Sequence, residues 1–211
     1  DDHEPPPPLT VDEALALRES GAVLLDTRPP ETFASGHLRG SVNVGLDGRF
    51  AEYAGDVVRP GQQVVLIGDT GRGIEGKVRL ARIGFDAVAG EVTDIEAVLA
   101  ARPELATTAP RLPAHDVAAW LAEEPTLQIV DVRNPGETKV GGTIPGARNV
   151  PLPQLLDHLD DLDPARPTIV YCAGGYRSSV AASTLRAHGF GQVADLIGGY
   201  GAWQSAAGSP A

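Results

Sequence analysis

The stretch Thr168-Ile-Val-Tyr-Cys172-Ala-Gly-Gly-Tyr-Arg177-Ser-Ser179 decides the fold, because its residue types change twice within a few positions. Its first residues are β-branched, apolar or aromatic, which predicts a short buried strand that ends at Cys172. Two glycines follow and permit the backbone angles of a tight loop. An Ala-rich run after Ser179 then predicts a helix. A strand, a tight loop and a helix in this order are typical of α/β folds, in which sites form at the carboxyl ends of strands.

The loop after this strand has the composition of an anion-binding cradle. Its backbone N–H groups converge at the start of a helix, where the helix dipole also favours negative charge. Cys172 is the only cysteine of the chain, and with Arg177 nearby we predict it to be a nucleophile. The residues predicted to line the cradle are Ala173, Gly174, Gly175, Tyr176 and Ser178. A buried core cysteine is the alternative, but it would not need two glycines, an arginine and a helix start around it.

The composition limits the class of protein and its partners. The 211 residues suffice for one large domain or for two domains of about 100 residues each. A formal net charge of −11 argues against nucleic acid and anionic membranes as partners. The sequence has neither a membrane-spanning apolar run nor a signal peptide pattern, and a single cysteine fits a reducing compartment, so we predict a cytoplasmic protein. The five histidines are scattered, so no metal site and no cofactor is predicted.

The second half of the chain repeats the first half. In each half a strand ends in an acid that is followed by an arginine two positions later, Asp26 with Arg28 and Asp131 with Arg133. The other matching segments are residues 36–44 with 142–150, 62–66 with 167–171, and 83–85 with 188–190. Each copy alternates short apolar strands with helices, which predicts an α/β fold with a small, mostly parallel sheet flanked by helices.

Composition also places the domain boundaries. The acidic and Pro-rich residues 1–8 are predicted to be an extended tail or linker rather than a folded element. Residues 103–112 lie in a region rich in Pro, Thr and Ala with little periodicity, so they are predicted to link two domains. The domains themselves are predicted to span residues 9–102 and 113–211.

The two copies differ at the position of the nucleophile. An alignment without gaps places Ile67 opposite Cys172. A shift of one or two residues places Gly68 or Asp69 there instead. No alignment supplies a thiol, so the first copy is predicted to have the loop without the nucleophile.

Several motifs of the second half occur in the order and spacing of a known family. They are Asp131-Val-Arg133, Glu137, residues 142–150, Cys172-Ala-Gly-Gly-Tyr-Arg177-Ser178 and Gly198-Gly-Tyr-Gly-Ala-Trp203. With these motifs the second half resembles a rhodanese domain, and the first half is similar through Asp26-Thr-Arg28, Glu31, residues 36–43 and Gly84-Phe85. The resemblance implies two tandem rhodanese-like domains, of which the first is inactive and the second active. One departure is Thr138, where the family often has an aromatic residue.

The resemblance also implies the reaction, which is the transfer of sulfane sulfur. Cys172 would take sulfur from thiosulfate or glutathione persulfide as a persulfide and pass it to a thiol or to cyanide. Arg177 would hold an anionic donor or add positive potential. Asp131 and Arg133 would brace the pocket. A purely structural role for these two is the alternative, in which Asp131 caps its own loop and Arg133 forms an ion pair with Glu137.

A tandem pair with a silent first copy is similar to the C-terminal part of proteins that fuse a metallo-β-lactamase-like persulfide dioxygenase to rhodanese domains. The chain begins at Asp1 rather than Met, which is consistent with that arrangement. The resemblance therefore implies a persulfide dioxygenase domain as a fused or separate partner.

Two rival functions remain to be compared. Cysteine-dependent phosphatases and arsenate reductases have five residues between cysteine and arginine, whereas four lie between Cys172 and Arg177. The shorter loop makes a smaller pocket, suited to one sulfur atom rather than a tetrahedral oxyanion. The other rival is a non-catalytic binding or regulatory module. The complete Cys-x4-Arg loop argues against it for the second copy, and the missing thiol favours it for the first copy.

Overall fold

The computed structural model describes residues 4–207, and the chain divides into two compact units, Asp1–Thr108 and Ala109–Ala211. The division falls within the predicted linker. Each unit is an α/β domain built on a parallel sheet, as predicted. The first three residues of the predicted tail lie outside the described residues.

The first unit is organised around a four-stranded parallel sheet. Its elements in chain order are α1 (Val11–Glu19), β1 (Val23–Asp26), α2 (Pro30–Ser35), β2 (His37–Leu38), β3 (Val42–Asn43), α3 (Phe50–Val57), β4 (Val64–Gly68), α4 (Gly73–Ala81), β5 (Val88–Thr93), α5 (Ile95–Ala101), a short 3₁₀ helix (Pro103–Leu105) and β6 (Ala106–Thr107). The strand order is β3-β1-β4-β5, and β2 pairs with β6 in a separate antiparallel ribbon. The central strands β1 and β4 are almost fully buried, which explains their continuous apolar runs.

The second unit has a five-stranded parallel sheet. Its elements are β7 (Arg111–Leu112), α6 (Ala114–Glu123), β8 (Gln128–Asp131), α7 (Pro135–Gly141), β9 (Arg148–Asn149), two 3₁₀ helices (Leu152–Asp157 and Leu159–Asp161), β10 (Thr168–Tyr171), α8 (Tyr176–Ala187), β11 (Val193–Leu196) and α9 (Gly199–Ala207). The strand order is β7-β11-β10-β8-β9, so β10 is at the centre. The strand predicted before Cys172 is therefore the middle strand of the sheet.

The predicted linker, residues 103–112, is not an unstructured connection. Its first part contains β6, which pairs with β2, and its last part contains β7, which pairs in parallel with β11. Strands of two residues are held by backbone hydrogen bonds to distant segments, so they leave no periodicity in the sequence. Most of the predicted linker therefore belongs to one domain or the other.

The Pro-rich segment is extended, but it is not separate from the first domain. Pro8 pairs in parallel with Glu91 at the edge of the sheet. The Glu91 N–H donates to the carbonyl of Pro7 at 2.9 Å, and the Leu9 N–H donates to the carbonyl of Glu91 at 2.8 Å. Proline lacks an N–H but keeps its carbonyl, so an edge position tolerates it. The segment is extended as predicted, but residues 7–8 pair with the sheet and so are part of a folded element, contrary to the prediction.

Strand register gives the correspondence between the two domains. Asp26 at the end of β1 lies beside Ile67 of β4, and Asp131 at the end of β8 lies beside Tyr171 of β10. The residue that follows Ile67 therefore corresponds to the residue that follows Tyr171. The gapless alignment of the two copies is wrong by one position.

Candidate active site

Cys172 lies at the carboxyl end of β10, directly after Tyr171. Its side chain is 1% exposed, and helix α8 begins four residues later at Tyr176. The carboxyl ends of the parallel strands meet at this edge of the sheet, where α/β proteins place their sites. The predicted strand, loop and helix are therefore confirmed.

Gly175 provides a backbone donor to the sulfur. Its N–H donates to Sγ of Cys172 at 3.1 Å, and its φ of 97° is one that a residue with a Cβ rarely adopts. Ser178 is buried on the first turn of α8, and its Oγ lies 3.8 Å from Sγ. The predicted cradle residues Ala173 and Gly174 are exposed, whereas Tyr176 is half-buried at the start of the helix. The loop therefore supplies the sulfur with a backbone donor from Gly175, while Ala173 and Gly174 reach solvent.

The start of α9 holds the backbone of this loop. The N–H of Tyr200 donates to the carbonyl of Cys172 at 2.7 Å, and the N–H of Gly201 donates to the carbonyl of Ala173 at 3.3 Å. Gly199 has a φ of 58°, and a Cβ there would overlap the carbonyl oxygen of Cys172. This close approach explains the glycine-rich motif before α9.

Arg177 forms a two-pronged ion pair with Glu137 of α7. Both N···O distances are 2.8 Å. The hydrogen bonds from Arg177 lower the pKa of Glu137 to about 2. The predicted pair between Arg133 and Glu137 is therefore wrong, because the carboxylate is held by the arginine of the cradle loop instead. Arg177 thus ties the first turn of α8 to α7.

Arg133 is paired with Asp131 rather than with Glu137. The guanidinium donates to the Asp131 carboxylate at 2.9 and 2.6 Å, and the Arg133 N–H donates to the same carboxylate at 3.1 Å. The guanidinium also donates to the carbonyl of Gly142 at 2.7 Å, and its Cζ lies 5.4 Å from the ring centre of Tyr171. The hydrogen bonds to Asp131 raise the pKa of Arg133. The ion pair of Arg133 with Asp131 therefore packs against Tyr171, which directly precedes Cys172.

The first domain contains the same brace. Arg28 donates to the Asp26 carboxylate at 3.0 and 2.7 Å and to the carbonyl of Gly36 at 3.0 Å. Burial raises the pKa of Asp26, and the hydrogen bonds from Arg28 oppose that shift. Because both domains keep this pair and one of them has no thiol, the pair serves the fold of each domain.

The first domain has Gly68 where the second has Cys172. A Cβ at Gly68 would overlap the hydroxyl oxygen of Thr27, which itself donates to the carbonyl of Ile67 at 3.0 Å. Val132 of the second domain corresponds to Thr27. The N–H of each residue donates to the last carbonyl of the neighbouring strand, that of Ile67 or Tyr171. The first domain therefore lacks the thiol, and the Thr27 hydroxyl would have to move to make room for its side chain.

A family model for the rhodanese-like domain matches residues 10–91 and again residues 113–206. The chain belongs to the rhodanese-like domain family. It contains two copies of the domain, which correspond to the two units of the structure.

Similarity to individual proteins extends over part of the chain. The chain is 42% identical over 76 residues to a Bacillus subtilis protein named YqhL, and the match covers 36% of this chain and 60% of that protein. It is 37% identical over 86 residues to the thiosulfate sulfurtransferase GlpE of Shewanella oneidensis, covering 41% of this chain and 84% of the relative. It is 34% identical over 83 residues to a sulfurtransferase of Allochromatium vinosum, covering 39% of this chain and 77% of the relative.

The similar solved structures cover either about half of the chain or nearly all of it. A rhodanese-like domain protein of Staphylococcus aureus is 32% identical with a TM-score of 0.42, covering 44% of this chain and 90% of that protein. A thiosulfate sulfurtransferase of Pseudomonas aeruginosa is 25% identical with a TM-score of 0.40, covering 96% of this chain and 43% of that protein.

Two residues around the rhodanese-like loop were not found from the sequence. Asp195 lies within the apolar strand β11 and accepts a hydrogen bond from Ser178 Oγ at 3.1 Å. An acid inside an apolar strand is itself a signal, because burying a carboxylate is costly without partners. Arg111 contacts both Asp195 and the loop, but it falls in the predicted linker and carried no signal.

Metal and membrane features were searched over residues 4–207. Within that range no group of three or more His, Cys, Asp or Glu side chains is arranged to hold a metal ion. None of the helices in the described part of the chain is long and apolar enough to cross a membrane.

Proposed function

We propose that the second rhodanese-like domain is a sulfurtransferase that carries sulfane sulfur as a persulfide on Cys172. The observation that carries this proposal is the position of the chain's only thiol, at the carboxyl end of the central strand with the Gly175 N–H 3.1 Å from its sulfur. The names of the relatives from Shewanella oneidensis and Allochromatium vinosum support the same activity.

The reaction has two displacement steps. The Cys172 thiolate attacks the outer sulfur of thiosulfate, the S–S bond of the donor breaks, and sulfite leaves with the electron pair. With glutathione persulfide the leaving group is the glutathione thiolate. A thiol acceptor, as its thiolate, or cyanide then attacks the terminal sulfur of the Cys172 persulfide. The second S–S bond breaks and returns the Cys172 thiolate, so no external oxidant or reductant is required.

The loop stabilises the anion at both stages. The Gly175 N–H is aimed at the sulfur, and the start of α8 adds the positive end of a helix dipole. The exposed Ala173 and Gly174 form the part of the loop that faces incoming donor and acceptor. Arg177 lies on the first turn of α8, where Glu137 fixes its orientation and offsets its positive charge.

We propose a different role for the first rhodanese-like domain, which is non-catalytic binding or regulation. Gly68 replaces the thiol, and the Thr27 hydroxyl occupies the space of the missing side chain. A persulfide dioxygenase domain, fused or separate, is our proposed partner, since it would consume glutathione persulfide, the proposed donor or product of the sulfur transfer. An open reading frame that starts close to Asp1 would contradict the proposal that the two domains are fused to a dioxygenase.

The activity test uses thiosulfate or glutathione persulfide as donor, cyanide as acceptor, and thiocyanate formation as readout. We expect turnover by the protein as it stands and none by Cys172→Ala, because the chain has no second cysteine to replace it. Circular dichroism of the variant should match that of the parent. Thiocyanate formation that survives this substitution would remove Cys172 from the mechanism, and turnover of an aryl phosphate would favour the phosphatase instead.

A further inference from the structure

Arg111 connects a strand edge to the cysteine loop. Its Nη2 donates to the carbonyl of Gly175 at 2.8 Å and to Oδ2 of Asp195 at 3.1 Å. Its Nε lies 3.2 Å from both carboxylate oxygens of Asp195. The two side chains are 12% and 2% exposed, so the pair is largely removed from solvent. The Arg111 guanidinium therefore links Asp195 of the sheet to Gly175 of the loop.

Two contacts to the sulfur depend on this pair. Gly175 donates its N–H to Sγ of Cys172 at 3.1 Å, while its carbonyl is held by Arg111. Ser178 lies 3.8 Å from Sγ, and its hydroxyl donates to Asp195 at 3.1 Å. With that hydroxyl proton directed at the carboxylate, the Ser178 oxygen can accept from the thiol but does not donate to the thiolate, so the contact that favours the thiolate is the N–H of Gly175. The ion pair thus sets the orientation of both groups.

The first domain provides an internal comparison. Glu91 lies beside Leu66 at the register position that Asp195 occupies in the second domain, so both domains have an acid there. Pro8 lies beside Glu91 where Arg111 lies beside Asp195. Burial raises the pKa of Glu91. The arginine is therefore present at this position only in the domain that has the thiol.

Unlike the pair of Arg111 with Asp195, the ion pairs at the ends of β1 and β8 occur in both domains. Asp26 with Arg28 and Asp131 with Arg133 are formed in both domains with nearly the same distances. A pair that both domains keep serves the common fold, whereas a pair that only the thiol domain has is associated with the thiol.

We infer that Arg111 is a positioning residue for Cys172, which it serves by fixing Gly175 and, through Asp195, Ser178. This inference rests on the proposed sulfurtransferase function for its kinetic consequence, but its structural consequence for the thiol does not. Arg111 is largely buried and its guanidinium is engaged by Gly175 and Asp195, so we expect it to act on the reactivity of the sulfur rather than on donor binding.

The test compares Arg111→Gln with Arg111→Lys and with Arg148→Gln as a matched control. Arg148 forms an ion pair with Asp161 in the same domain, but both side chains are about half exposed. Asp195 keeps the positive charge of the nearby Arg186 in each variant, which favours folding. The first readout is the rate at which iodoacetamide alkylates Cys172, corrected for the folded fraction from thermal unfolding. This readout needs no turnover.

We expect alkylation to slow about tenfold in Arg111→Gln, the equivalent of one hydrogen bond to a charged group. Arg111→Lys keeps the charge but reaches one partner at a time, so we expect an intermediate rate. Arg148→Gln should match the parent. In thiosulfate turnover, kcat should fall about tenfold in Arg111→Gln while KM stays within about twofold.

A purely structural role for Arg111 predicts the opposite change in the alkylation rate. Loosening the loop would expose a buried thiol, so alkylation in Arg111→Gln would be as fast as in the parent or faster. That result, or an equal slowing in Arg148→Gln, would overturn the inference. Should Arg111→Gln fail to fold, a parental alkylation rate in Arg111→Lys would overturn it equally. If the parent shows no sulfur transfer, the proposed function fails while the alkylation comparison still decides the role of Arg111.

Discussion

Gly68 and Cys172 occupy the same register position in the two domains, so the proposed sulfur carrier of the second domain has no counterpart in the first. We predict that Gly68→Cys, made in a Cys172→Ala background, does not restore thiocyanate formation. The new Cβ would overlap the hydroxyl of Thr27. The first domain also lacks an arginine at the position of Arg111, so no guanidinium from that position would hold its loop as Arg111 holds Gly175.

Adding Thr27→Val to that variant tests the steric part of the explanation. Valine, which stands at the corresponding position of the second domain as Val132, has the same size as threonine but cannot donate to the Ile67 carbonyl, so its side chain can turn away from the new Cβ. We expect the double change to recover folding stability relative to Gly68→Cys alone, as measured by thermal unfolding, while activity stays absent. Activity of Gly68→Cys in the Cys172→Ala background, with Thr27 unchanged, within about tenfold of the parent, a loss of no more than about 1.4 kcal/mol, would contradict this account.

Glu137 and Arg177 give a pH-dependent contribution to stability. The pKa of Glu137 falls from 4.5 to about 2 in the folded protein, so the folded state favours the ionised carboxylate. The stabilisation is therefore complete above pH 4.5 and is lost as the pH falls towards 2. We predict that Glu137→Gln is less stable than the parent at neutral pH and that the difference disappears in this acid range.

The measurement is urea unfolding of both proteins at a series of pH values. Glu123→Gln is the control, because Glu123 is exposed at the end of α6 in the same domain. A stability difference for Glu137→Gln that stays constant down to pH about 2 would show that the ion pair is not its cause.

At the scale of elements, the start of α9 is predicted to be essential for the geometry of the cysteine loop. Gly199→Ala would place a Cβ against the carbonyl of Cys172 at a positive φ. We expect a loss of about 1–3 kcal/mol in the free energy of unfolding and reduced sulfur transfer. Gly136→Ala is the matched control, since a Cβ at Gly136 in α7 meets no atom within 4 Å. It should be neutral or stabilising by up to about 1 kcal/mol.

Denaturant unfolding of these two variants decides the point. Equal stability of Gly199→Ala and Gly136→Ala would mean that the loop and α9 adjust to each other without cost, against the close packing described above.

The elements differ in how well the sequence predicts them. The central strands β4 and β10 were predictable, because a strand buried on both faces must be apolar throughout. The strands β6 and β7 were not, since two residues cannot show a period and their pairing partners are distant in sequence. This failure concealed Arg111, which the prediction assigned to a linker.

At the scale of the whole molecule, the tandem organisation was predictable from the internal repeat, and the family match confirms it. The strand, loop and helix around Cys172 were also predictable, because the change from apolar residues to glycines and then to an Ala-rich run marks each element. The ion pairs around the loop could not be assigned from sequence. Glu137 can be reached by either Arg133 or Arg177, and the choice depends on how α7 and α8 pack rather than on spacing.

The most direct test of the central claim is intact-protein mass spectrometry after treatment with thiosulfate or glutathione persulfide and removal of the donor. We predict that the parent gains the mass of one sulfur atom, that cyanide removes it, and that Cys172→Ser, folded as the parent is, gains nothing. A parent that stays unmodified with both donors, or an adduct that persists in Cys172→Ser, would contradict the assignment of Cys172 as the sulfur carrier.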